Sequence, residues 1–222
     1  MIWEWIKEFM PETEKNNLIP YRQEIFRKLV HLSSFWMVVV IGVFHSWEVS
    51  IFFTALFILS ILCEGAYARQ VPVITPLYEN FFGRMLRKKP DPKQWIVSGG
   101  PYVLGAAALV CWLFNGQAGA AALGVMLLAD TAAALVGRKF GRHKMANGKS
   151  REGFWAFLVA GWLVVGCGAL FWQWNLLTVG LGGGGVVAAA YAEIYEKQLH
   201  IDDNFSIPVI VGCFLSVGMW LS

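Results

Sequence analysis

The sequence contains few charged residues. Of its 222 residues, 15% are Asp, Glu, Lys or Arg, whereas 57% are hydrophobic. Soluble domains average about 25% charged residues, so the composition excludes an ordinary soluble protein. We predict an all-α, polytopic integral membrane protein with about seven transmembrane helices, because seven apolar stretches reach the roughly 17–25 residues that a span needs. The stretches are Leu29–His45, Val49–Ala66, Trp95–Phe114, Ala118–Gly137, Phe154–Trp172, Leu176–Ala192 and Phe205–Leu221.

Two further absences narrow the class. The four cysteines (Cys63, Cys111, Cys167 and Cys213) stand singly in apolar runs, and no CxxC or Cys/His spacing supports a zinc site or a disulfide framework. The segment Met1–Met10 lacks the basic region and the small-residue cleavage site of a secretory signal. Its aromatic residues alternate with charges, so we expect an interfacial helix lying on the membrane. A terminus without a role is an equal alternative.

The basic residues are confined to alternate connectors. The N-terminal residues 1–28 and the connectors 67–94, 138–153 and 193–204 together contain all 18 Lys and Arg residues. With seven spans these segments share one side, and the positive-inside rule assigns that side to the cytoplasm. The N-terminus would then be cytoplasmic and the C-terminus outside. Residues 1–28 form a cytoplasmic or interfacial segment before a single membrane domain, residues 29–222.

Connector 67–94 contains an amphipathic segment, Leu77–Lys88, between two pairs of prolines. Its apolar and aromatic residues are opposed to basic residues at its end. We therefore predict a helix that lies on the inner lipid surface.

One carboxylate, Asp130, lies inside an apolar span. A charge in hydrocarbon costs roughly 3 kcal/mol by insertion scales, so such a residue is a functional candidate by default. Asp130 shares a helical face with the small residues Ala134 and Gly137, which would allow a neighbouring helix and a metal ion to approach. The alternative is a buried carboxylate that only forms a hydrogen bond to another helix.

The segment after Asp130 is rich in glycines and cations. Glycines leave room for close backbone approach, and Arg and Lys hold phosphate oxygens. Ser150 is expected to cap the helix that follows, and Glu152 to complement the dipole of that helix. The free N–H groups at the start of the same helix would then form an anion site. A solvated basic loop is the alternative. The candidate phosphate-binding residues are Gly137, Arg138, Gly141, Arg142, Lys144 and Ser150.

A second acidic group precedes the last span. Asp202 and Asp203, followed by Asn204, are hard-oxygen ligands suited to Mg²⁺, although a helix cap in a solvated turn is the alternative. Several other charged residues lie near span ends, where each is either a site residue or an interfacial anchor. These further candidates are Arg27, Lys28, His31, Glu64 and Glu193.

The motifs come in a recognisable order. They are Arg27-Lys28-x-x-His31, Glu64, Ser98-Gly99-Gly100-Pro101-Tyr102, Asp130-x-x-Ala133-x-x-x-Gly137-Arg138-x-x-Gly141, Lys149-Ser150-x-Glu152-Gly153, Ala192-Glu193 and Asp203-Asn204-x-x-Ile207-Pro208. Together they resemble the CTP-dependent lipid-alcohol kinases (dolichol kinase, phytol kinase and the CTP-using diacylglycerol kinase), relatives of phosphatidate cytidylyltransferase. Two departures stand out. Ala129 precedes Asp130 where that family often has glycine, and the late Lys-Asp and HisGlyGly…AspArg segments of the cytidylyltransferases are missing.

The resemblance implies transfer of the γ-phosphoryl group of CTP to a lipid hydroxyl, assisted by Mg²⁺, at the cytoplasmic face. It implies no nucleic acid partner, and the lipid would come from the inner leaflet as a polyprenol, phytol or diacylglycerol. Phosphatidate cytidylyltransferase and a transporter with Asp130 as its ion site are the alternatives; the oligomeric state stays open. The implied roles are catalytic for Asp130, Lys149 and Glu152, metal-binding for Asp130, Asp202 and Asp203, and triphosphate-binding for Arg138, Arg142, Lys144 and Lys149.

Overall fold

A computed structural model describes residues 21–82, 99–145, 147–199 and 201–222. Within these ranges the regular structure is helical, and the only β-type pairing there is one isolated bridge. The helices are α1 Tyr21–Ser33, α2 Trp36–Phe44, α3 Trp47–Ala68, α4 Ile74–Phe82, α5 Gly99–Leu113, α6 Gly116–Phe140, α7 Arg151–Trp172, α8 Leu176–Ile194, α9 Glu196–Leu199 and α10 Asp203–Trp220.

Six segments of the described chain are long and apolar enough to cross a membrane. The first, Arg27–Phe44, joins α1 and α2 across a turn at Ser34 and Phe35, and the others are α3, α6, α7, α8 and α10. Helix α5 is apolar but has 15 residues, and residues 95–98 of the expected third span lie outside the described ranges. The prediction of an all-α polytopic membrane protein is confirmed.

Helix α6 is the centre of the bundle. It packs against α1, α2, α5, α7 and α10, and its residues from Ala118 to Leu127 are all buried. Most of them are alanine or glycine. Lipid provides no hydrophobic driving force between helices, so small side chains that let backbones approach closely are what hold such a bundle together. The surroundings of any side chain near the end of α6 are therefore set by several helices at once.

The described cations gather at one end of the bundle. Ser50, near the start of α3, donates a hydrogen bond to the carbonyl of Cys111 near the end of α5 (3.2 Å), so these two helix ends lie together. The start of α6 follows directly. The described Lys and Arg residues lie at the opposite end, on α1, at the end of α3, between the end of α6 and the start of α7, and on α9. This is the partition that the sequence predicts, while the assignment of that end to the cytoplasm stays a prediction.

Helix α4 is docked on the end of α3 by aromatic and acidic side chains. The hydroxyl of Tyr78 donates to Glu64 (2.9 Å), and the Tyr78 ring stacks on that of Tyr67 with centroids 4.5 Å apart. Glu64 is thus an anchor for this helix. The amphipathic helix expected at Leu77–Lys88 begins earlier, at Ile74, and its part beyond residue 82 lies outside the described ranges, as does Met1–Met10.

Glycines allow α6 and α7 to meet backbone to backbone. A Cβ atom added at Gly137 would lie 3.5 Å from the Gly153 Cα, and one added at Gly141 would lie 2.7 Å from the Ser150 Cβ and 2.1 Å from the Gly137 carbonyl oxygen of its own helix. One added at Gly153 would lie 2.9 Å from the carbonyl oxygen of Ala133. The close approach expected at these glycines is therefore made by the two helices themselves.

We expect Gly141→Ala to destabilise the protein by about 1–3 kcal/mol, the usual cost of overpacking, because the new methyl group meets backbone that cannot move aside. Thermal unfolding in detergent, followed by loss of the monodisperse peak on size exclusion, measures the effect. Gly166→Ala on α7 is the matched control, since a Cβ there meets no atom within 4 Å. Equal unfolding midpoints for the two variants would contradict the packing argument.

Candidate functional site

Asp130 is buried in the bundle and paired with a lysine. Only 8% of its surface is exposed, and its Oδ2 atom accepts a hydrogen bond from the Lys28 ammonium at 2.5 Å. Lys28, on α1, is 3% exposed. An isolated charge in such surroundings costs several kcal/mol, so each residue makes the burial of the other possible. Lys28, which the sequence leaves open as an anchor, is the counter-ion of Asp130.

His31 lies one helical turn after Lys28 and faces the same carboxylate. Its Nε2 atom is 3.7 Å from Asp130 Oδ2, beyond hydrogen-bond distance. That nitrogen is buried and has no hydrogen-bond partner among the described residues. Arg27, the third residue of this motif, is near enough for its charge to act on Asp130. Helix α1 therefore brings the whole Arg27-Lys28-x-x-His31 motif to the central carboxylate.

Three further carboxylates form an acid group, defined as Glu196, Asp202 and Asp203. One oxygen from each lies within 4.8 Å of the others. The amide of Asn204 donates to Asp202 (2.6 Å) and to Asp203 (3.2 Å), which orients both. Carboxylate oxygens at this separation suit a hard divalent cation such as Mg²⁺. Sequence reasoning found both aspartates and missed Glu196, which only the short helix α9 brings to them.

Asp130 stands beside the acid group but is not a member of it. Helix α10 packs against α6, and the charges of Asp130 and Asp203 are near enough to repel each other. The predicted metal set of Asp130, Asp202 and Asp203 is thus divided between two adjoining clusters. In the first, Lys28 already holds one oxygen of Asp130, and in the second Glu196 joins the two aspartates.

The basic segment between α6 and α7 forms a short hairpin, in which residues 143–145 pair with residues 149–151. The Met145 amide donates to the Lys149 carbonyl (2.8 Å), and the Arg151 amide donates to the His143 carbonyl (3.0 Å). Gly148 sits at the turn with φ +84°, a backbone conformation that glycine adopts without strain. The segment is therefore a folded element and not an open loop.

The base of the hairpin is fixed by two residues that the sequence singles out. The Ser150 hydroxyl accepts the Gly153 amide (3.1 Å), so the predicted cap of α7 is confirmed. Glu152, in the first turn of α7, holds the His143 ring with Oε1 and Nδ1 2.7 Å apart. These contacts give Glu152 a structural partner, and its catalytic role stays a prediction.

Lys149 reaches from the hairpin to the end of α8. Its ammonium donates to the Glu193 carbonyl oxygen (2.6 Å) and to Oε1 of the same residue (3.1 Å), and it lies 3.5 Å from Glu196 Oε2. Burial acts to lower the pKa of Lys149, but the Glu193 carboxylate, supported by Glu196, raises that pKa above its ordinary value. The Lys149 ammonium is therefore stabilised by the carboxylates that it contacts.

The remaining basic candidates lie at the end of α6 and along the hairpin. The side chains of Arg142 and Lys144 are exposed, and that of Arg138 is half-buried. They are placed where an anionic ligand could reach them from outside the bundle. Among the candidates from the sequence, Glu64 differs in that its described hydrogen bond is made with Tyr78 on α4 and not with the residues around Asp130 or the hairpin.

No protein-family description matches the sequence, and no solved structure matches it. The chain is similar to an uncharacterised protein of Rickettsia prowazekii (strain Madrid E), with 30% identity over 129 residues. The similarity covers 58% of this chain and 62% of that protein, so the chain spans less than two thirds of its relative.

Proposed function

We propose that the chain is a CTP-dependent kinase that phosphorylates the hydroxyl group of a membrane lipid alcohol at the cytoplasmic face. The observation that carries the proposal is the position of Asp130. This carboxylate is buried within a membrane span, and it adjoins the acid group at the end of the bundle where the described cations lie. The resemblance of the ordered motifs to the lipid-alcohol kinases supports the same activity, and CTP as donor rests on that resemblance.

Phosphoryl transfer depends on positioning and charge neutralisation more than on covalent chemistry by the protein. The acid group has the oxygen ligands to hold Mg²⁺, which when bound would neutralise charge on the nucleotide phosphates. Arg138, Arg142 and Lys144 would bind phosphate oxygens from the hairpin side. The Arg151 and Gly153 amides at the start of α7 donate to the His143 carbonyl and the Ser150 hydroxyl, so they are not free for the anion that the sequence predicts there.

Asp130 would orient the lipid hydroxyl. In the proposed step the hydroxyl oxygen bonds to the γ-phosphorus while the bond from that phosphorus to the bridging oxygen of the nucleotide breaks. The hydroxyl proton passes to Asp130, and the products are the lipid phosphate and CDP. Lys28 holds the Asp130 carboxylate in place through its hydrogen bond. The carboxylate oxygen that accepts the hydroxyl proton is therefore already positioned when the substrate arrives.

The transporter alternative finds less support. A transport path needs polar groups that continue through the bundle. Between Ala118 and Leu127 the central helix carries only buried Ala, Gly, Leu, Val and Met residues. The chemistry of the described chain is thus concentrated at one end of α6, as expected of an enzyme whose lipid substrate enters from one leaflet.

The activity is tested directly with purified protein in detergent. We expect transfer from labelled CTP to one of polyprenol, phytol or diacylglycerol, with CDP as co-product, and loss of this transfer when EDTA removes divalent cations. Formation of CDP-lipid and pyrophosphate from phosphatidate would indicate the cytidylyltransferase alternative. Absence of any lipid product with CTP or ATP would overturn the proposal.

Asp130→Asn is expected to lower the turnover rate by at least about 100-fold, the loss typical when a general base is removed. Asparagine also leaves Lys28 without its counter-ion, so folding needs its own check by size exclusion. The double variant Lys28→Met/Asp130→Asn removes both charges and should fold while staying inactive. Glu48→Gln, which removes a carboxylate at the opposite end of the bundle, is the control. Turnover of Asp130→Asn near the wild-type rate would exclude the assignment.

The proposed membrane orientation can be tested by cysteine labelling in a variant whose four native cysteines are replaced. We expect an impermeant maleimide to label Arg142→Cys from the cytoplasmic side and Ser222→Cys from the outer side, because the positive-inside rule assigns the hairpin end to the cytoplasm. Both positions have exposed side chains. The opposite labelling pattern would place the site on the outer face.

A further inference from the structure

We infer that Lys149 is a positioning residue that latches the hairpin to the end of α8, and that it does not contact the nucleotide. The effect of this latch on activity rests on the proposed function, because the latch holds the phosphate-binding cations of the hairpin in position relative to the acid group. It replaces the triphosphate contact that the family resemblance implies for Lys149.

The hydrogen-bond donors of Lys149 are already engaged. A lysine ammonium has three N–H donors and no acceptor. Three oxygens surround this one, namely the carbonyl oxygen and Oε1 of Glu193 and Oε2 of Glu196, at 2.6, 3.1 and 3.5 Å. Glu193 is 7% exposed, so its carboxylate depends on this cation. A phosphate oxygen could be bound only by breaking one of these contacts.

Asn147 forms the second half of the latch. Its side-chain amide donates to the Ile194 carbonyl oxygen at 2.5 Å, while its Oδ1 accepts the backbone amide of Lys149 at 3.2 Å. Together the two residues bind the carbonyls of Glu193 and Ile194, the last two of α8. Carbonyl groups in the final turn of a helix lack partners within it, and the end of a helix favours a cation. The hairpin tip is therefore the C-terminal cap of α8.

The latch connects the two halves of the site. The hairpin base is fixed to α6 and α7 through Gly141 and Ser150, and its tip is fixed to α8. The end of α8 leads directly into Glu196, which Lys149 shares with the acid group. The Lys149 ammonium thus links the hairpin directly to a carboxylate of the acid group, in addition to the packing of the helices.

Steady-state kinetics separates a latch from a phosphate contact. For Lys149→Met we expect kcat to fall about tenfold or more while KM for the nucleotide changes less than about twofold, since lost positioning acts on the transition state. Lys149→Arg should recover part of kcat, because a guanidinium also binds carboxylates. Lys144→Met, on the exposed side of the same hairpin, is the matched comparison and should raise KM for the nucleotide.

A double-mutant cycle adds a second criterion. If Lys149 acts through Glu193, the losses in kcat from Lys149→Met and Glu193→Gln will not add in the double variant. A raised nucleotide KM in Lys149→Met, together with additive losses in the cycle, would overturn the positioning role and restore the phosphate contact.

Limited trypsin digestion tests docking of the hairpin without reference to activity. Asn147→Ala and Glu193→Gln each weaken the latch without altering a trypsin site, and we expect cleavage within residues 142–151 to be about fivefold faster, because local opening exposes the chain. Asn175→Ala, which removes the cap at the other end of α8, is the control. Unchanged cleavage in both latch variants would overturn the latch. If the wild-type protein transfers no phosphoryl group, the proposed function fails, and this digestion still decides whether the latch exists.

Discussion

The ion pair between Lys28 and Asp130 is the interaction on which the charged end of the bundle depends. Two charges placed separately among apolar helices would each cost several kcal/mol, whereas a pair that also forms a hydrogen bond recovers much of that cost. The contact fixes α1 against α6 in one register, because moving either helix by a turn would separate the charges. The span turns at Ser34 and Phe35, so that α1 brings Lys28 to Asp130 while α2 packs on α6 as well.

Helix α6 is accordingly divided into two parts with different tasks. Its first part, as far as Leu127, is built of small and apolar residues and holds the bundle by close packing. Its last part carries Asp130, then the glycines against which α7 lies. A rigid apolar half beside a charged half is a suitable arrangement for a site, because catalytic side chains need supports that do not yield when a ligand binds.

The sequence predicts the features that depend on local signals. Apolar runs indicate the spans, Ser150 is recognisable as a cap, and Asp130 is conspicuous because a carboxylate is so unusual in its surroundings. The sequence cannot predict partners that only the fold brings together. Lys28 is 102 positions from Asp130, and Lys149 is 44 positions from Glu193. The glycines show the same limit. Their pattern indicates that another group approaches the backbone closely, but a phosphate and a neighbouring helix both require that the side chain be absent. The pattern therefore does not tell the two apart.

The balance of charge at the site bears on what can bind there. Five carboxylates meet within this end of the bundle: Asp130, Glu193, Glu196, Asp202 and Asp203. Among the described residues, Lys28 and Lys149 are the ammonium groups in direct contact with them, and both are already bound. Beside the acid group itself a free nucleotide triphosphate would meet carboxylates and be repelled at short range, whereas the exposed cations Arg142 and Lys144 lie on the hairpin. Under the proposed function, a nucleotide that arrives as its magnesium complex would place a cation against the acid group, so these acids would favour a metal-bound anion over a bare one.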